Sequence, residues 1–268
     1  MTKLTVLIPT YNEEKNIRGC IEGIEWADEI LVVDAYSTDN TLKIVDEYPH
    51  VKIIQREYKY STNQKNWAIP QSKNDWILIV DADERVSEEL AGEIRDICDA
   101  EYAEDKPAAY RIMRDSFFLG KRIEYSGWQN DSVIRLFRKG KAEYEDKYVH
   151  GSLIVNGEIG ELNSHFIHYT NRDLSDYLEK MKKYTTWYAL EKYKKGKKAG
   201  IISIAFRTAH VFVKNYVLKL GFLDGIHGFI LCGLSALSMF IKYSKLWELN
   251  NNKDLIGKYE YFKKEEND

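Results

Sequence analysis

Three carboxylates crowd the point where an apolar run stops. Trp76 to Val80 is apolar throughout, and Asp81, Ala82, Asp83 and Glu84 follow at once. In an extended continuation Asp81 and Asp83 share a face, while Ala82 keeps the intervening face small. Two hard oxygen donors on one side suit Mg2+ or Mn2+ holding a diphosphate. An isolated Asp-x-Asp is as often a solvated turn capping the next helix. Two other strand-like runs tip the balance, because they too end in polar clusters. Thr10, Tyr11, Asn12 and Glu13 follow the run 4–8, and Asp34 with Ser37, Thr38 and Asp39 closes the run 29–34. Ligands of an open parallel sheet bind beyond the carboxyl ends of its strands, so three such ends would meet at one crevice.

The elements that must position these groups alternate between strand and helix periods. LTVLI (4–8) reads as a strand covered on both faces, with Asn12 capping a helix that has Glu13 and Glu14 in its first turn and offers free N–H groups to an anion. Ile17, Cys20, Ile21 and Ile24 form one helix face. EILVVD (29–34) and VKIIQRE (51–57) are further strands, separated by a short helix in TLKIVDEY. A helix around Asn63 to Ile69 precedes the strand 76–80, and another starts near Ser87 and carries Leu90, Ile94 and Ile97. The order implies a parallel sheet with crossovers, hence an α/β fold. The pattern then changes: 108–113 and 133–138 read as strands, and SLIVNGEIGEL as a hairpin about Asn156-Gly157, together an antiparallel extension. From Leu174 the chain turns helical, with Leu174, Leu178, Met181, Thr185 and Tyr188 along one side, up to a basic linker at 194–200.

The bulk properties narrow the classes. At 268 residues, 44% hydrophobic and 30% charged, the chain suits one sizeable domain with an appendage or two small domains. A net charge of -3 gives no overall pull toward nucleic acid, and no nucleic-acid partner is expected. Cys20, Cys98 and Cys232 form neither a disulfide framework nor a zinc knuckle, which fits a reducing cytoplasm. The apolar start is too short for a signal-peptide core and reads as the first strand.

VLIPTYNEEKNI, EILVVDAYSTDNT, QKNWAI and WILIVDADE, in this order and spacing, resemble the nucleotide-sugar half of family 2 glycosyltransferases, with their GT-A fold. FFLGKRI, SGWQND, VIRLFRK, the Val-His pair at 149–150 and GFLDGIHGFIL resemble the branch of lipopolysaccharide-core β-glucosyltransferases. The resemblance implies a GT-A catalytic domain over 1–170, with a nucleotide-sugar half (1–100) and an acceptor half (101–170), and a helical region over 171–268. It implies that Pro9, Thr10, Tyr11 and Glu13 line the nucleotide pocket and that Asp34 contacts base or ribose. Lys65 and Asn66 would lie near the diphosphate or sugar, with Arg135 pairing with phosphate or only with a surface carboxylate. Asp81 becomes the ribose-side or metal-side carboxylate and Asp83 the direct metal ligand. Trp128 would wall a sugar ring. Asp131 takes the place of the base an inverting transfer needs. His150 is the expected third metal ligand, His165 and His168 being the alternatives. The chain departs from the pattern twice. Ala35 stands where a second acidic residue is common, removing one contact to uracil, although UDP remains the expected nucleotide, and Gly151 stands where the branch tends to have Glu.

Residues 225–241 carry no Asp, Glu, Lys or Arg, but number only 17 and include several glycines, just short of a spanning helix. Arg207, Lys214, Lys219, Lys242 and Lys245 flank apolar aromatic stretches, the pattern of helices lying in a headgroup layer. The alternative is a helical hairpin packed on the catalytic domain or on a second subunit of a homo-oligomer. The expected protein is a metal-dependent inverting enzyme, cytoplasmic and peripheral on the inner membrane face, moving a hexose such as glucose from UDP to a cell-envelope glycolipid. The rivals are a transferase acting on a capsular or protein acceptor, and a non-catalytic membrane-associated nucleotide-sugar-binding protein. A nucleotidyltransferase is disfavoured, because no Gly- and Arg-rich phosphate loop is present near the start.

Overall fold

A computed structural model describes residues 4–100, 106–145 and 151–265, with side chains as far as 260. Its elements run β1 (Leu4–Thr10), α1 (Ile17–Glu22), β2 (Glu29–Asp34), α2 (Thr41–Val45), β3 (Val51–Gln55), α3 (Ser61–Ala68), β4 (Trp76–Ile79), β5 (Glu84–Val86), α4 (Glu88–Asp99), β6 (Ala109–Phe118), β7 (Lys121–Arg122), β8 (Ser132–Arg138), β9 (Ala142–Tyr144), β10 (Leu153–Val155) and β11 (Ile159–Asn171). Helices α5 (Leu174–Lys194), α6 (Ile201–Val213), α7 (Gly225–Asn251) and α8 (Leu255–Glu265) follow.

Two compact units arise, one of residues 1–115 and 130–168, the other of 116–129 and 169–268. The first is built on a sheet of order β3-β2-β1-β4-β8-β6-β11-β5. Its left half, β3 to β4, is parallel, and β8 then joins β4 antiparallel, Leu78 opposite Leu136. The continuous apolar runs of β1, β2 and β4 are buried on both faces, as crossover helices require. Ile17, Cys20, Ile21 and Ile24 are all fully buried, so α1 seats its one apolar stripe on the sheet. Ser87 caps α4, its Oγ accepting from the Leu90 N–H at 3.3 Å, with Glu88 and Glu89 in the first turn and Leu90, Ala91 and Ile94 inside.

The hairpin expected about Asn156-Gly157 does not form. β10 pairs instead with β9, Leu153 opposite Tyr144, while β11 leaves for the large sheet. Gly157 sits at φ +140 with Ala108 packed 2.7 Å from where a Cβ would be, so the residue is a crossing point and not a two-residue turn.

In the second unit α7 contributes Leu231, Cys232, Ala236, Tyr243, Leu246 and Leu249 to the interior, a stripe along one side of the helix that is interrupted between Ala236 and Tyr243. Its later half packs on α5, where the Tyr188 and Tyr243 hydroxyls meet at 3.1 Å. The Lys245 ammonium donates there to the Lys182 carbonyl and the Thr185 and Thr186 hydroxyls. The inner stripe of α5 begins at Met181, whereas Leu174 and Leu178, expected on the same side, are exposed. A π-helical turn (Lys214–Leu218) and a 3-10 turn (Gly221–Asp224) join α6 to α7. Asp224 is buried here, its carboxylate accepting from the Glu124 and Tyr125 N–H groups (both 3.1 Å) and the Ser126 hydroxyl (2.6 Å).

Candidate active site

The loops after β1 and β2 are laced together at the carboxyl edge of the sheet. Asn12, at φ 53, accepts the Thr38 N–H on its side-chain oxygen at 2.8 Å. In return the N–H groups of Asn12, Glu13 and Glu14 go to Ser37 Oγ (2.9 Å), Thr41 Oγ1 (2.8 Å) and Asp39 Oδ2 (3.1 Å). This corrects two expectations. Asn12 does not cap a helix, since α1 starts only at Ile17, and the N–H groups foreseen for an anion are already bonded. Asp34 is fully buried, and its carboxylate accepts from the Ser37 N–H (3.0 Å), the Ser37 hydroxyl and the Gln55 amide (3.1 Å). It thus fixes the shape of its own loop, while Tyr11 and Tyr36 are exposed beside it. Pro9 and Thr10 end β1, Thr10 buried with its hydroxyl donating to the Ile8 carbonyl. Glu13 accepts from the Asn16 amide at 2.7 Å.

The two aspartates of the Asp-Ala-Asp turn part company. Asp81 places one oxygen 3.1 Å from the Lys65 ammonium and the other against the Arg135 guanidinium. Burial alone would raise its pKa, but Arg135 and Lys65 outweigh that and hold the carboxyl far below its ordinary range. Asp83 faces the other way, its Oδ2 3.6 Å from Nε2 of His168. The antiparallel register brings His168 there, opposite Glu84 in the β5–β11 pair. Glu84 is fully buried, and burial, opposed by Arg135 and aided by the Asp81 and Asp83 charges, pushes its pKa up.

Arg114, on β6, is the residue sequence reasoning missed. It grips Asp131 with two parallel hydrogen bonds, Nε to Oδ2 at 3.0 Å and Nη2 to Oδ1 at 2.8 Å, and reaches Glu84 with Nη1 at 3.3 Å. The planar fork makes such a pair directional as well as strong. Nothing in the local sequence around 111–115 marks it, because its meaning depends on the distant side chains of Glu84 and Asp131 reaching its guanidinium.

Asn66 uses both amide atoms on Tyr144, donating to its carbonyl at 2.8 Å and accepting its N–H at 2.9 Å, so it splices α3 to β9 as a strand partner would. Trp128 lies in the second unit, edge-on to Phe118 with centroids 6.1 Å apart. His150 lies outside the described residues, and His165 pairs with Asp115 at 3.0 Å. The Gly151 departure has a steric reason: a Cβ there would sit 2.7 Å from both the Glu145 carbonyl oxygen and the Thr62 methyl. In the first unit, a cleft of about 580 Å³ carries Lys65, Arg111 and Arg135, the hydroxyls of Ser61, Thr62, Ser132 and Ser152, and Tyr144. Among the described residues its lining includes no carboxylate, which suits an anionic ligand.

Parallel strands β3 to β4, an Asp-Ala-Asp-Glu turn closing β4 and an antiparallel flank define an α/β architecture of the GT-A type. The family model for glycosyl transferase family 2 matches residues 5–156. A glycosyltransferase of Rickettsia typhi is 30% identical, over 93% of this chain and 88% of its own length. The lipopolysaccharide core biosynthesis glycosyltransferase LpsC of Rhizobium meliloti is 25% identical, over 91% and 92%. Among solved structures, S. aureus TarS 1-349 in complex with UDP-GlcNAc superposes with a TM-score of 0.47 at 15% identity, covering 93% of this chain and 91% of that one. The chain belongs to glycosyl transferase family 2. It is a glycosyltransferase.

Proposed function

We propose that the protein moves a hexose, glucose in our reading, from UDP to a hydroxyl of a cell-envelope glycolipid such as lipopolysaccharide core, with inversion at the transferred carbon. The observation that carries this reading is the Arg114 bridge, which ties the base candidate Asp131 and the Asp81–Glu84 turn into one charged network. Asp131 accepts the proton of the attacking hydroxyl. Arg114 occupies one lone pair on each of its oxygens, and a carboxylate has about four, so acceptor sites remain. Lys65 and Arg135 neutralise charge growing on the departing diphosphate. The likeness to LpsC supports a lipid-linked core glycan as acceptor.

A divalent metal fits the site in part. Among the described residues no three His, Cys, Asp or Glu side chains gather as a ligand group, and Asp81 is committed to two cations. Asp83 and His168 would be the residues to hold it, with Oδ2 and Nε2 3.6 Å apart, and Mg2+-type ions commonly take their remaining ligands from water and substrate phosphates. Bound there, the ion would supply Lewis-acid stabilisation of the leaving diphosphate. A peripheral place on the inner membrane face would bring the enzyme and a lipid-linked acceptor into one plane.

UDP release from a panel of UDP-hexoses with Mn2+ tests the reading, using extracted glycolipids as acceptors. Asp131→Asn and Asp83→Ala should each reduce turnover at least a hundredfold. Retained turnover in Asp131→Asn rejects the base, and a melting temperature indifferent to UDP with Mn2+ rejects the donor.

A further inference from the structure

We propose that α6, the two turns from Lys214 to Asp224 and the first turns of α7 form a seat lying in the headgroup layer of an anionic phospholipid bilayer, so that the chain rests on the membrane without crossing it. This deepens the membrane partner proposed above and rests on that reading, independently of the sugar chemistry.

The exposed side chains of this stretch are those a soluble surface avoids. Ile201 is 83% exposed, Ile202 81%, Phe206 70% and Leu218 70%, with Phe222 and Ile226 open as well. A run of large apolar side chains of this extent marks an interaction surface. At the start of α6, Gly200, Ile201, Ile202, Phe206 and Arg207 outline a shallow, mostly apolar groove of about 630 Å³.

Charge selects the partner. From Lys192 to Trp247 the sequence holds ten Lys and Arg but a single acid, Asp224. That acid is buried and bonded to the 124–126 backbone and Ser126, so it leaves no negative charge on the surface. Arg207, Lys214 and Lys219 are exposed among the apolar residues. Such a face complements lipid phosphates. A second copy of the same face would set like charges against each other.

The long helix settles lying against crossing. Gly221–Asn251 is long and apolar enough to span a bilayer. One side of α7, however, is packed against α5 through Tyr243, Leu246 and Leu249, and α5 carries Lys and Glu along its length. Crossing would drag those charges into hydrocarbon. A one-sided seat leaves them in water.

Flotation of the full chain with phosphatidylcholine vesicles, with and without about one third phosphatidylglycerol, tests this, the anionic vesicles being expected to bind on the order of 10²-fold tighter in low salt. Alkaline carbonate should strip the bound protein. Ile201→Ser/Ile202→Ser/Phe206→Ser should weaken binding at least tenfold and leave the melting temperature unchanged, since these side chains support no interior. Equal binding to both vesicle types, retention through carbonate, or a dimer abolished by the triple variant in the absence of vesicle binding would each overturn the proposal. UDP release in vesicle-free buffer separates the two readings. If vesicle binding fails while Asp83-dependent release persists, only the seat is lost. If Asp83→Ala releases UDP normally while vesicles still bind, the sugar-transfer reading falls and the seat stands.

Discussion

Arg135→Met isolates the charge network from everything else the site does. The guanidinium is buried, touches Asp81, lies 3.8 Å from Glu84 and donates to the Tyr144 hydroxyl at 3.4 Å. Methionine keeps much of the volume but leaves two carboxylates short of a cation. Removing one partner of a buried pair costs about 3–5 kcal/mol. We take about 3, because Asp81 is partly exposed and keeps Lys65. At roughly 2–4 °C per kcal/mol for a unit of this size, the calorimetric transition should fall by about 6–12 °C. Asp81→Asn in the same chain should restore part of the loss, with a coupling of about 2 kcal/mol. The pH dependence fixes the sign. Asp81 has its pKa depressed by folding, so its contribution is present above the unfolded value of about 4 and is lost as pH falls through the folded one. Glu84, raised by burial, instead gains stability on protonation, and more so once Arg135 is gone. The gap between wild type and Arg135→Met should therefore be widest near neutrality and narrow progressively as pH falls below about 4. A shift under about 2 °C at pH 7, or a gap that widens in acid, would refute the claim that ion pairing with Arg135 stabilises this turn.

Arg114→Gln should cut turnover about a hundredfold through loss of the fork on Asp131, while UDP with Mn2+ still raises the melting temperature; loss of both effects would mean the arginine serves folding alone. Gly151→Glu places a Cβ against the Glu145 carbonyl and Thr62, so it should destabilise by about 1–3 kcal/mol in denaturant melts. Asp224→Ala strips the acceptor from three donors and should cost about 3 kcal/mol, read as a lower transition midpoint with UDP release retained.

Much of this protein was legible in one dimension because its signals are local. The runs 30–33 and 76–79 are apolar throughout, and 4–8 is so but for Thr5, since both faces of those strands are covered, and a residue's own neighbours suffice to show it. The stripe of α1, the Ser87 cap and the cluster after β4 are equally short-range. What depends on distant strands was not legible. Arg114 looks like any strand arginine until β5 and β8 bring Glu84 and Asp131 to its three nitrogens. Asn12 looks like a helix cap until the 37–41 loop arrives to take its side chain and the neighbouring N–H groups. Composition announced a cationic apolar tail, but whether its lone acid faced outward depended on the 124–126 turn folding onto Asp224. Periodicity reports which side of an element is apolar. Only the tertiary fold decides which charged groups end within three or four ångströms of each other, because in this site every such pair joins residues far apart in the chain.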